Sequence, residues 1–239
     1  MLPNMERLTV WLKRAVCAAL VLACLTPARA DDLDDFNHAV EAAMSHHRVA
    51  AGYLRTGNID LATLEIDGLR EAWAKVSVLP RPAAFRDQER YTSTILQVAA
   101  QLIGISLVLN LGRADVARES LDTIRKMLSE LRRANGVTVL ADCVLDANVA
   151  MDALMATGRL PDWESAAAGG KSYAATLRRC DGMAPRSIRD HAEFRRLIDG
   201  ALASLAQFPK AFETRDADLL HRLMIELRSF DNLLAFRYG

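Results

Sequence analysis

Apolar residues along this chain recur at steps of three and four, and no stretch sustains the period-two alternation that a half-buried strand requires. Ala62, Ile66, Leu69, Trp73 and Val76 form one such series. Ala117, Leu121, Ile124, Leu128 and Leu131 form a second, and Leu220, Leu223, Leu227, Phe230 and Leu234 a third. Stripes this narrow are buried when helices lie about 20° from antiparallel, so the chain is expected to be all-α and bundle-like.

Glycine and proline divide the pattern into eight expected helices in four hairpins. The first pair covers about 34–55 and 59–76 around a turn at Thr56-Gly57-Asn58, with Asp31 to Asp35 capping its start. After Pro80 and Pro82 the second pair covers about 87–111 and 115–134, turning at Gly112-Arg113 and stopping at Asn135-Gly136. The third pair runs from about 139 to 157, turns at Gly158 before Pro161, and returns to about Arg179, where Asp181-Gly182 and Pro185 break the chain. The last pair covers about 188–208, ended or kinked by Pro209, and about 216–236.

The pairs group into two four-helix-bundle-like halves, 31–138 and 139–239. Gly57 and Gly158 stand 101 residues apart, and Gly136 and Gly239 stand 103 apart. Ile124-Arg125 falls on Leu227-Arg228, also at 103. An internal duplication accounts for these offsets, and so does the turn chemistry that any antiparallel hairpins share.

Residues 1–30 have the composition of a secretory signal. Arg7, Lys13 and Arg14 precede an uncharged run from Ala15 to Leu25, and Thr-Pro-Ala-Arg-Ala ends at Ala30, with cleavage expected before Asp31. That run is too short to span a bilayer comfortably. Its removal takes away four basic residues and one acidic residue, leaving 26 basic against 29 acidic and a net charge of −3. Such a balance gives no electrostatic reason to expect nucleic acid or an anionic membrane as partner. Export, to the periplasm or beyond, also places the two remaining cysteines, Cys143 and Cys180, where disulfides persist. They lie at similar distances either side of the turn near residue 160, so a disulfide is expected to clasp the open end of that hairpin.

Reactive motifs are missing from the pattern. There is no nucleophile elbow, no His-Glu-x-x-His and no glycine-rich phosphate loop, so no catalytic, cofactor or metal residues are assigned and a non-enzymatic role is expected. In helix number and length the halves are similar to exported four-helix haem bundles of the cytochrome c′ kind. Covalent haem needs Cys-x-x-Cys-His, which neither Cys143 nor Cys180 supplies. Met44 and His47, on the face that carries Val40 and Leu54, and His221 are the side chains that an alternative role, holding non-covalent haem, metal or a small apolar ligand, would use. Arg132-Arg133, Arg178-Arg179 and Arg195-Arg196 read as solvated helix ends and faces, and Gly169-Gly170 as a bend or close helix contact.

From Tyr91 to Gly112 there are 22 consecutive residues without a charge. That is long enough to cross a membrane, but Gln97, Gln101, Ser106 and Asn110 are spread around it, and it reads as a soluble helix buried on most sides. Its partners are then either the other half or a second chain, such as a homodimer mate packed on Tyr91 to Leu111. The role expected from all this is an exported protein-interaction or scaffold module.

Overall fold

The computed structural model describes residues 28–157 and 162–239, with the side chains of 28–31 and 157 left out. The signal segment, except for the backbone of 28–30, and the turn at Gly158 and Pro161 lie outside the described residues. No strand occurs among the described residues. The helices are α1 (Ala28–Thr56), α2 (Ile59–Ser77), α3 (Gln88–Asn110), α4 (Ala114–Ala134), α5 (Leu140–Thr157), α6 (Trp163–Met183), α7 (Arg186–Arg189), α8 (Ala192–Leu205), α9 (Phe208–Thr214) and α10 (Ala217–Tyr238).

The hairpins close as their glycines dictate. Gly57, Gly112 and Gly136 take φ of 77°, 73° and 69°, the left-handed region that glycine enters without a steric penalty. Each donates its N–H three residues back while the next residue donates five back, which satisfies the last carbonyls of the helix. Arg215 does the same after α9 at φ 52°, without the freedom of glycine. Three boundaries differ from expectation. The helix expected over 188–208 is instead α8 (Ala192–Leu205), preceded by the single turn α7, and Pro209 stands in the first turn of α9 rather than ending a helix, a position where its missing N–H costs no hydrogen bond. Helix α1 begins ahead of Asp31, so the acidic run lies in its first turns, and Asp32 caps the Ala83 N–H of another segment instead. Helix α6 runs through Asp181-Gly182 to Met183, because Asp181 is held by Arg195 and buried Cys180 anchors the last turn. It ends only where Ala184, before Pro185, turns extended.

Two apolar clusters form the core, one from Phe36 to Leu131 and one from Val144 to Leu234. Their buried positions repeat. In α4 they include 117, 121, 124, 128 and 131, and in α10 220, 224, 227, 231 and 234, each 103 residues later. In α2 they are 62, 66, 69, 73 and 76, and in α6 they include 166, 170, 173, 177 and 180, each 104 later. The broken pair α8 and α9 matches the continuous α3 at 103, with Tyr91, Ile95, Val98 and Leu102 answered by Phe194, Ile198, Ala201 and Leu205. All of the expected seam residues are buried except Phe230, which is only partly so. Asp231, 1% exposed, takes the seam position instead, while the Phe230 ring covers Gly200, where a Cβ would come within 2.6 Å of it.

The halves meet through α1 against α10 and α4 against α5, not across α3. This joint is built from arginines. Arg132 forms a two-pronged salt bridge to Asp142 at 2.9 and 2.5 Å, and both are buried, so Arg132 is not the solvated helix end its sequence position suggests. Arg133 pairs with Asp146 at 2.5 Å, and Asp146 also takes Arg179 at 2.6 Å. Arg48 donates to the Gly239 carbonyl at 3.0 Å.

Candidate functional site

Helix α3 is the one described helix long and apolar enough to cross a bilayer, but it is not buried on most sides. Tyr91, Ile95, Val98, Leu102, Ile105 and Leu109 point into the N-terminal core against α2 and α4. The opposite face carries Leu96, Ala100, Ile103, Leu107 and Leu111, all exposed, at steps of four, three, four and four. Leu96 is 64% exposed, Ile103 58%, Leu107 60% and Leu111 76%. At 1.5 Å per residue this is a continuous apolar stripe about 22 Å long. The polar residues of the segment sit beside it, with the Gln97 amide donating to Ser93 Oγ at 2.9 Å.

The counterpart in the other half shows what the fold itself demands. At an offset of 103, Leu96, Ala100, Ile103, Leu107 and Leu111 become Asp199, Ala203, Ala206, Lys210 and Thr214, all exposed. Only the small Ala100 is repeated, as Ala203; each large apolar side chain is replaced by a charged, polar or smaller one. The inward positions Tyr91, Ile95, Val98 and Leu102 are apolar in both copies of the helix, whereas the outward row carries large apolar side chains in α3 and not in its counterpart α8 and α9. Packing the bundle therefore does not require the stripe.

The other residues singled out from sequence are dispersed. Cys143, in the first turn of α5, and Cys180, near the end of α6, are brought together with Cα atoms 5.4 Å apart and sulfurs at bonding distance, at the open end of their hairpin. Gly169 and Gly170 provide close helix approach: a Cβ on Gly170 would meet the Phe208 ring at 2.8 Å. Met44 and His47 are both buried with Val40 and Leu54, but they line different clefts. His221 is exposed on α10. Among the described residues, no group of three His, Cys, Asp or Glu is placed to hold a metal ion.

Sequence reasoning missed a polar chain between the halves. Arg125 donates to Asn148 Oδ1 at 3.0 Å, the Asn148 amide donates to Asp231, and Tyr173 Oη donates to Asp231 Oδ1 at 3.3 Å. Burial raises the Asp231 carboxyl from its ordinary 3.8 to about 6, and Tyr173 is likewise pushed upward, first by burial and then by that carboxylate. The signal for Arg125 was present in its repeat with Arg228. Nothing in the sequence pattern placed Asp231 inside. Comparison with family models, with curated proteins and with solved structures finds no match to this chain.

Proposed function

We propose that this is an exported, non-enzymatic helical module that works by binding protein through the outer face of α3, with a second copy of itself as the occupant. The observation that carries the reading is the contrast between α3 and its counterpart: equal inward positions, with outward Leu96, Ile103 and Leu107 where the other half has Asp199, Ala206 and Lys210. An isologous interface places one patch against itself, so it must be self-complementary. A stripe with no charge from Tyr91 to Gly112 meets that condition, because two-fold pairing brings no like charges together. The repeated burial pattern supports an internal duplication, after which one copy of the helix acquired or kept an apolar outer face. Export is supported by the leader composition and by the paired cysteines, which belong to an oxidising compartment.

Sedimentation equilibrium of the mature chain tests this. Dimer is expected in the micromolar range, with Ile103→Glu and Leu107→Glu each shifting the protein to monomer while helical content is unchanged. Leu233→Glu, on the exposed side of α10, is expected to leave the dimer intact. A wild-type chain that remains monomeric at 100-fold higher concentration, or a dimer indifferent to both α3 changes, overturns the proposal.

A further inference from the structure

A cleft between the halves, separate from α3, has walls that neither core uses. Val40 and Met44 of α1 and Leu128 of α4 line it from one half, and Leu145 of α5, Met183 of α6 and Ile188 of α7 from the other. Its volume is about 480 Å³. Val139, Leu145 and Met183 are half-buried, face this space and pack against neither core cluster. Because they are only half-buried, a molecule entering from solvent reaches them. The Arg132–Asp142 salt bridge and the Arg125–Asn148 hydrogen bond cross from α4 to α5 at its edge, which keeps the two walls apart.

The charges around the cleft decide what suits it. Arg132 and Asp142 satisfy each other, Glu41 takes Arg48 at 2.6 Å, Arg237 takes Glu193 at 3.1 Å, and Arg125 is held by Asn148. The remaining charged side chain of the lining, Asp34, is exposed, where water screens it. An ionised ligand would give up its hydration here and meet no free counter-charge inside, which is costly. An uncharged apolar ligand carries no such penalty and takes the half-buried walls out of water. Met44 and Met183, with flexible thioether chains, let the walls adapt to its shape.

We infer that this cleft binds an uncharged hydrophobic molecule. The space holds roughly 16 non-hydrogen atoms at about 30 Å³ each, the share of a water molecule in the liquid, and lies within the range of small-molecule sites.

Fluorescence titration of the full mature protein with a matched pair of probes provides the test: neutral N-phenylnaphthylamine, which is of this size, and anilinonaphthalene sulfonate, which adds a sulfonate to the same rings. The neutral probe is expected to bind one site per chain, about tenfold or more tightly than the sulfonate. Leu145→Trp and Met183→Trp each place a larger ring in the gap from a half-buried position, and each is expected to weaken the neutral probe about tenfold or more. Circular dichroism checks that the variants fold, and one folded variant is enough to decide. Should neither fold, the preference for the neutral probe and its retention by Ile103→Glu decide. Equal binding of the two probes, no saturable binding below about 50 µM, or indifference to both tryptophan variants overturns the inference. So does loss of the probe with Ile103→Glu but not with Leu145→Trp, which would place it on α3. The titration does not read oligomeric state, so the cleft and the α3 dimer stand or fall separately.

Discussion

The two halves bury the same positions by different means. The N-terminal half relies on apolar bulk, with Trp73 across the middle and a cluster of Phe36, Phe85 and Tyr91 whose ring centres lie 5.2 to 5.8 Å apart. At the equivalent depth the C-terminal half has Leu177 for Trp73 and the carboxyl of Asp231 for Leu128. It also breaks its third helix at Pro209 and forces Arg215 into the left-handed turn that Gly112 occupies without strain. Compensation comes from the Cys143–Cys180 link and from the hydrogen bonds that Tyr173 and Asn148 give to Asp231. A repeated burial register thus fixes where helices pack, and leaves open whether volume, a cross-link or a polar network stabilises them.

If that contrast is right, truncation should hurt the first half most. Trp73→Ala removes a side chain 2% exposed together with its N–H bond to the Ile95 carbonyl, and is expected to cost about 3 to 5 kcal/mol in denaturant unfolding. Leu177→Ala, at the matching position, should cost less, and the reverse order would break the comparison. Reducing the disulfide should act on the other half. Its 37-residue separation corresponds to about 4 kcal/mol of restricted chain entropy. Hydrogen exchange after reduction is expected to rise in α5 and α6 and to leave α2 and α3 protected. Alkylation under denaturing conditions should find no free thiol without reductant and two with it. Equal loosening of both halves would show that they do not differ in this way.

The seams of α2 and α4 were legible because every member is apolar and the spacing alone selects the face. The α10 seam was legible except at one turn. Phe230 is the more hydrophobic of two adjacent residues, yet Asp231 goes inside, since its bonding partners come from α5 and α6 and Gly200 on α8 makes room for the Phe230 edge. Such partners are tertiary information. Arg132 was misplaced for the same reason: its carboxylate, Asp142, lies beyond a turn, on the other half. For α3 the absence of charge indicated burial on most sides, whereas only the positions of α2 and α4 reveal which side stays open. The clue that its outer face is special, Leu96 against Asp199 and Leu107 against Lys210, was in the sequence at the 103 offset but needed the inner register to be read.

The smallest expected effect concerns pH, and it separates the halves by sign. His47, on α1 among Arg48 and Arg125, falls from 6.5 unfolded to about 3 folded, so its contribution is present above pH 6.5 and is lost as pH falls through that range. Asp231, on α10 beside Tyr173, Asn148, Arg228 and Asp152, rises from 3.8 to about 6, so its contribution is present below pH 3.8 and is lost as pH rises toward 6. Between about pH 4 and 6 the unfolded chain holds the histidine proton and the folded chain holds the aspartate proton, and the two slopes oppose each other. Wild-type stability should therefore change little across that window from these groups. Asp231→Asn keeps an acceptor for Tyr173 and removes only the ionisation. It should stabilise the protein by about 2 to 3 kcal/mol at pH 7, the scale of a two-unit shift, and leave the His47 slope uncovered, so that the variant loses stability steadily from pH 6 to 4. Urea unfolding midpoints of both proteins at pH 4, 5, 6 and 7 measure this. A variant whose advantage persists undiminished at pH 4 would show that Asp231 is ionised throughout, and that its burial is supported by Arg228 rather than by a proton.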